Sequence, residues 1–218
     1  LDAAYASGID DEFVRPVQIV ASGGTPLCLT ESDLLLHLNF RADRAGQMLR
    51  FLRGEQGGYA SALSGLSLAT MTPYPGLHSD AILFDKPLIS YGLGACVSAS
   101  GLRQVRIAET EKYAHVTYFF NGGRSEPYLG ETLRLIPSPQ VATYDLAPEM
   151  SAEAIADAVL AALDEGRYDF LVCNFANADM VGHTGKLAPT IEAVEAIDRA
   201  IGRLSQRMAA LGGHYFIT

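Results

Sequence analysis

Eight residues, Tyr168-Asp-Phe-Leu-Val-Cys-Asn-Phe175, read as a buried strand, and they lie between two helical patterns. Upstream, Ser151 can cap a helix running to about Glu165, with Glu153 in its first turn and Ile155, Val159 and Leu163 on its buried face. Downstream, Pro189 opens a second helix. Its apolar positions, Ile191, Val194, Ile197, Ile201, Leu204, Met208 and Leu211, make a helical stripe that ends at Gly212-Gly213. His214–Thr218 reads as the start of a further buried strand. Strand, helix, strand, helix, strand in this order implies parallel pairing through right-handed crossovers, a doubly wound α/β unit.

Open α/β sheets place ligands outside the carboxyl ends of their strands. There, just past Phe175, stands Asp179-Met-Val-Gly-His183. An aspartate and a histidine four apart can point at one metal ion, and oxygen with imidazole nitrogen suits manganese, zinc or iron. Two ligands do not complete a catalytic site. The alternative is that Asp179 caps the loop and His183 is a hydrogen-bonded histidine beneath it.

The first half is more irregular. Residues 15–20 look like a short strand, and 33–40 like a strand buried on both faces. Arg41-Ala42-Asp43-Arg44 then precedes an amphipathic stretch from Gln47 to Arg53. Two guanidinium forks beside a helix start could hold a phosphate or carboxylate. Asp43 between them could equally tie one arginine into a structural ion pair. Residues 54–66 are rich in Gly, Ser and Ala, and Pro73, Pro75, Gly76 and Pro87 follow, which suggests a crossing between domains with a boundary near 90. Residues 113–120, Tyr-Ala-His-Val-Thr-Tyr-Phe-Phe, carry the β-branched and aromatic content of a strand ending at Asn121-Gly-Gly123. His115 would then be a satisfied core histidine, as would His37. Glu109-Thr-Glu-Lys112 reads as a solvated capping cluster unless Lys112 approaches a site.

A net charge of −9 with no basic run argues against nucleic acid or an anionic membrane as the main partner. Three scattered cysteines and no CxxC argue against a disulfide framework and favour a reducing cytoplasm. No apolar stretch approaches the roughly twenty residues of a membrane span. The chain starts at Leu1 and stops inside an expected strand, so a fragment of a longer protein is expected.

The segments Asn39-Phe-Arg-Ala-Asp-Arg44, Arg106-Ile-Ala-Glu-Thr-Glu-Lys-Tyr-Ala-His-Val-Thr117, Phe119-Phe-Asn-Gly-Gly123, Pro137-Ser-Pro139, Thr143-Tyr-Asp-Leu146, Pro148-Glu-Met-Ser-Ala152 and Asn174-Phe-Ala-Asn-Ala-Asp-Met-Val-Gly-His-Thr-Gly185 together resemble the 2,3-bisphosphoglycerate-independent phosphoglycerate mutases of the alkaline phosphatase superfamily. The resemblance implies part of an alkaline-phosphatase-like doubly wound sheet plus part of an inserted α/β phosphotransferase domain. The expected boundaries are 1–90 for the carboxyl-terminal part of the phosphotransferase domain and 91–218 for part of the metal-binding domain. It implies interconversion of 3-phosphoglycerate and 2-phosphoglycerate through a phosphoserine intermediate, with two manganese ions, in a cytoplasmic monomer. It assigns Asp179 and His183 to one manganese, Arg41, Ala42, Asp43 and Arg44 to substrate binding, and Lys112 to substrate binding and support of the transferring phosphoryl group. The family's nucleophilic serine and the ligands of the second metal have no match here, so this segment alone is expected to be inactive. The competing expectations are another phosphomutase or hydrolase of the same superfamily, or a non-catalytic fragment.

Overall fold

The computed structural model describes every residue except Asp10, 42–44, 55–62, Ser64 and Leu88, and for Glu12 the backbone only. It divides into two compact units, Arg15–Leu88 on one side and Leu1–Val14 with Ile89–Thr218 on the other. Both are α/β, and every strand pairing is parallel. A short helix, α1 (Asp2–Ala6), opens the larger unit.

The smaller unit holds β1 (Leu34–His37), α2 (Ala45–Leu52), β2 (Ser67–Thr70) and β3 (Ala81–Ile82), with the strands in the order β1-β2-β3. Its core is Leu49 of α2 against Leu68 and Tyr74, joined by Leu35. The strand expected at 33–40 is β1, but it is not buried on both faces. Successive side chains alternate, and only the Leu35 side packs on the Leu49 cluster, leaving Leu34 and Leu36 exposed. Residues 15–20 form no strand: nothing among the described residues pairs with that backbone, and Val17 and Ile19 are exposed. Most of the expected crossing at 54–66 lies outside the described residues.

In the larger unit α3 (Leu93–Ala99) leads to β4 (Gln104–Glu109), α4 (Thr110–Ala114) and a π-helical turn, His115–Phe119. Then come β5 (Glu131–Ile136), α5 (Ala152–Asp164), β6 (Phe170–Asn174), α6 (Asn177–Gly182) and α7 (Leu187–Leu211). The sheet order is β5-β4-β6, with β4 central and buried along its whole length. Its side chains alternate between two helical layers. Val105 and Ile107 pack on Ile155, Val159 and Ala162 of α5 and on Leu204 of α7. Gln104 and Arg106 face the other layer, where α3 supplies the Gly94 carbonyl and the segment after β4 supplies Phe120 and Asn121.

That second face carries a buried polar network. Arg106 donates from Nε to Glu131 Oε1 at 3.1 Å, and both side chains have no exposed surface. A second guanidinium nitrogen of Arg106 donates to Gln104 Oε1, and Gln104 Nε2 donates to the Gly94 carbonyl at 2.8 Å. Asn121 Nδ2 and the Tyr128 backbone N–H complete the carboxylate of Glu131. Arg106 also stacks over Phe120 and Phe170. Burial lowers the Arg106 pKa from its ordinary value, while Glu131 opposes that shift. A Cβ on Gly94 would stand 2.6 Å from Asn121 Oδ1, so α3 sits against the network only because residue 94 has no side chain.

The strand expected at 113–120 is helical instead. Tyr113, Val116, Thr117 and Phe120 recur at i, i+3, i+4 and i+7, the period of a helix face. Val116 and Thr117 are buried, and His115 is exposed rather than in a core. Thr117 Oγ1 donates back to the Tyr113 carbonyl at 2.7 Å, which occupies a β-branched residue's hydroxyl inside a helix. Gly122 and Gly123 then turn the chain with φ of 68° and 90°.

Helix α7 begins two residues before Pro189 and ends on Gly212, which is left-handed at φ 64°. Its buried face follows the expected aliphatic stripe only in part: Leu204 packs on the core, and Ile197, Ile201 and Met208 are half-buried. Ala193, Ala196 and Ala200 are buried, while Ile191, Val194 and Leu211 are exposed. Small residues let α7 lie close to α5 and α6, and Ile197 and Leu204, four residues after Ala193 and Ala200, share their face. Arg199, Arg203 and Arg207 of α7 pair with Glu149, with Glu153 and Asp157, and with Asp164. These ion pairs are solvent-exposed and contribute little each. Residues 213–218 form no strand and are exposed rather than buried.

Candidate active site

The chain runs from β4 to β5 on one side, then crosses to β6 on the other side of β4. The strand order therefore reverses between β4 and β6. In doubly wound sheets the crevice at such a switch point, outside the strands' carboxyl ends, is where ligands bind. Lys112 follows β4 in α4, and Asp179 follows β6 in α6. The topology alone brings these two segments to one place.

Helix α6 is held from below. Ala176 and Val181 are fully buried, and so is Asn177, whose Nδ2 donates to the carbonyls of Pro148 at 2.9 Å and Glu149 at 2.8 Å. Asn177 lies within the Asn174–Gly185 segment, but its sequence position gives it no distinct role. Its only signal there was a polar side chain directly after a buried strand. Asp179, expected in a loop, stands in the first turn of α6, and His183 follows one turn later with its N–H on the Asp179 carbonyl at 3.1 Å.

The Asp179 carboxylate is shared. Oδ2 accepts a hydrogen bond from the Lys112 ammonium. Oδ1 lies 3.5 Å from His183 Nε2. The hydrogen bond from Lys112 holds the Asp179 carboxyl below its ordinary pKa against the opposing effect of burial, and His183 and His115 add to the lowering. Lys112 is mostly buried, with 14% of its side chain exposed, whereas Asp179 and His183 open to solvent at 51% and 60%. A charged donor is thus fixed at the base of the crevice beneath two potential ligands.

These two donors fit one cation. With metal–ligand bonds of about 2.1 Å, a 3.5 Å separation corresponds to a ligand–metal–ligand angle of roughly 110°, near tetrahedral. Carboxylate oxygen and imidazole nitrogen suit a borderline or hard divalent ion. Among the described residues no group of three or more His, Cys, Asp or Glu converges, so this pair supplies only part of a coordination sphere.

The wall beside Lys112 is polar and ordered. Glu109, the last residue of β4, is buried and accepts from Ser138 Oγ at 2.9 Å. Burial pushes its carboxyl up, and Ser138 and Ser151 pull it down. Ser151 stands at the amino end of α5 as expected, but its hydroxyl donates to the Pro137 carbonyl rather than capping the helix. Ser138, from the loop after β5, also donates its N–H to Thr110 Oγ1 at 3.2 Å. This ties that loop to the start of α4. Tyr144 donates its hydroxyl to Glu111 Oε1 at 2.8 Å. Burial, and then that carboxylate, push the phenol up to about 12. A raised folded-state value stabilises the fold at all pH below the ordinary phenol pKa near 10, and the contribution is lost as pH rises from about 10 to about 12. The difference between ultraviolet titrations of the wild type and Tyr144→Phe should therefore show one phenol with a midpoint near 12. A difference curve centred near 10 would contradict this geometry.

Of the other sequence candidates, Arg41 belongs to the smaller unit, just past the carboxyl end of β1, where its N–H donates to Asn39 Oδ1 at 2.8 Å. Tyr74 holds the same turn by donating to the Asn39 carbonyl. Ala42, Asp43 and Arg44 lie outside the described residues. The three cysteines are free thiols, and burial pushes Cys173 up to about 11, so it is unreactive at neutral pH. No helix among the described residues is long and apolar enough to cross a membrane.

Comparison with known proteins places this geometry in context. The profile of the Metalloenzyme superfamily matches residues 37–218. A 2,3-bisphosphoglycerate-independent phosphoglycerate mutase of Synechococcus elongatus is 46% identical over 220 residues, covering 100% of this chain and 40% of that protein. One from Nitratidesulfovibrio vulgaris is 48% identical over 226 residues, covering 100% of this chain and 43% of that protein. Crystalline Leishmania mexicana phosphoglycerate mutase, solved at low cobalt concentration, superposes with a TM-score of 0.71 at 32% identity, over 89% of this chain and 36% of that one. The chain thus spans about two fifths of the length of the curated relatives it matches.

Proposed function

We propose a function from one premise: the chain belongs to the metalloenzyme superfamily. It forms part of a cofactor-independent phosphoglycerate mutase, an isomerase that moves a phosphoryl group between the 3- and 2-hydroxyls of glycerate. The observation that carries this reading is the meeting of Lys112, Asp179 and His183 at the switch point of the sheet, in a chain whose whole length aligns with proteins of that name.

Each residue has work suited to its chemistry. Asp179 and His183 would hold a divalent cation, which we take to be manganese, as two of its ligands. Such an ion offsets charge on a transferring phosphoryl group. Lys112, mostly desolvated and fixed by a carboxylate, presents an ammonium to the same phosphoryl oxygens and holds it in line for transfer. Glu109, Ser138 and Thr110 keep the helix bearing Lys112 against the sheet. On the smaller unit, Arg41 and Arg44 bind the substrate's anionic groups.

The deciding experiment is a coupled assay for 2-phosphoglycerate formed from 3-phosphoglycerate by the full-length protein, with and without added manganese. Turnover that depends on the ion is expected. A protein that hydrolyses phosphoglycerate without isomerising it would overturn the mutase reading. Arg41→Ala in the same assay should lower kcat/KM at least tenfold, about 1.4 kcal/mol of lost binding, and leave bound manganese unchanged. Arg41→Lys should restore only part, because the bidentate fork is lost. Unaltered kinetics in an Arg41→Ala, Arg44→Ala double variant would remove both arginines from the substrate site.

A further inference from the structure

The Asp179 carboxylate serves two neighbours. One oxygen takes the Lys112 ammonium, and the other faces His183 Nε2. We infer that Lys112 is the resident counter-cation of Asp179, that it weakens divalent-ion binding at the Asp179–His183 pair, and that arrival of the ion in turn loosens Lys112 toward the substrate. This rests on the reading of Asp179 and His183 as cation ligands, and extends it.

The physical case is short. An ion held by Oδ1 and Nε2 would lie about 5–7 Å from the ammonium, across a single carboxylate group, given bonds of about 2.1 Å. Like charges so close repel even under partial solvent screening. Lys112 keeps only 14% of its side chain exposed, so water screens it poorly. The other charges that act on Asp179 are His183 and His115. Both remain when Lys112 is changed, so the lysine's contribution can be isolated. Coupling between two ligands of one group is reciprocal. If the ammonium weakens the ion, the ion weakens the ammonium's hold on Oδ2 by the same factor. The enzyme would then free its phosphoryl-binding lysine only once the cation is in place, which orders the two events without any moving domain.

The test is calorimetric titration of the metal-stripped full-length protein with manganese alone. Lys112→Met removes the charge and keeps the chain's length, and it should bind the ion about tenfold more tightly than the wild type at the Asp179 site. Lys112→Gln should move in the same direction, which guards against a folding defect in one variant. Lys112→Arg keeps the charge and should stay within about threefold of the wild type. Equal or weaker binding by both neutral variants, with the wild type binding normally, overturns the counter-cation inference alone. Absence of binding by the wild type and all variants overturns the ligand assignment of Asp179 and His183, and this inference with it.

Discussion

Glu131→Ala should cost about 3–5 kcal/mol of folding stability, the usual consequence of leaving one member of a buried ion pair without its partner. The guanidinium of Arg106 would remain in a desolvated pocket between Phe120 and Phe170 with its counter-charge gone, and Asn121 and Tyr128 would lose their acceptor. That loss is a large fraction of the roughly 5–15 kcal/mol that holds a typical domain folded. The measurement is the midpoint of urea unfolding, followed by circular dichroism. The comparison is Arg203→Ala, which breaks two exposed pairs of α7 and should leave the midpoint almost unmoved. A double change, Arg106→Met with Glu131→Leu, should recover much of the loss, because replacing a buried pair by apolar groups is often close to neutral. Equal shifts for Glu131→Ala and Arg203→Ala would show that the interior pair is not desolvated as described.

On the proposed mutase reading, Lys112→Ala should lower kcat of the full-length protein by about 10²–10³, the range for deleting one preorganised donor from a transition-state site. Its partner Asp179 is half exposed, so the lost ion pair costs little stability and the unfolding midpoint should stay near that of the wild type. Separation of the two readouts is the point of the experiment. A variant with a large fall in kcat and a normal midpoint places the lysine in the chemistry, whereas parallel falls in both would make it a structural residue.

Much of the site-bearing architecture is legible in the chain itself. Helix α5 stands out because its apolar residues keep the helical period, and β6 because Phe170–Cys173 is an unbroken apolar run, although that strand is half-buried rather than buried. The Asp179–His183 spacing survives because i and i+4 are neighbours on one helical turn as well as across a loop. Strand β4 is not legible. Gln104, Arg106 and Glu109 look like surface residues, and what allows them inside is remote: Glu131 sits 25 positions away in sequence from Arg106, and Ser138 lies 29 from Glu109. No local pattern announces a polar residue whose partner arrives from another strand. Residues 113–120 mislead for a different reason. Their composition favours a strand while their spacing favours a helix, and packing against the sheet decided for spacing. On α7 the largest aliphatic residues drew attention, yet close helix approach selected Ala193, Ala196 and Ala200 for the interior.

The π-helical turn at His115–Phe119 separates two residues with unlike duties, Lys112 before it and Asn121 after it. In an ordinary helix each residue advances about 100° around the axis, and a π-turn absorbs one residue beyond that count. The turn therefore sets the rotational phase between Lys112, which meets Asp179, and Asn121, which meets Glu131. Insertion or loss of a residue in the regular turn Thr110–Ala114, where nothing absorbs it, would swing one end by about 100° relative to the other. Either Asn121 would leave Glu131 or Lys112 would leave Asp179. Tolerance of length change here should accordingly be far lower than tolerance of substitution at exposed His115 or Phe119, so the helix acts as a spacer measured in angle rather than in distance.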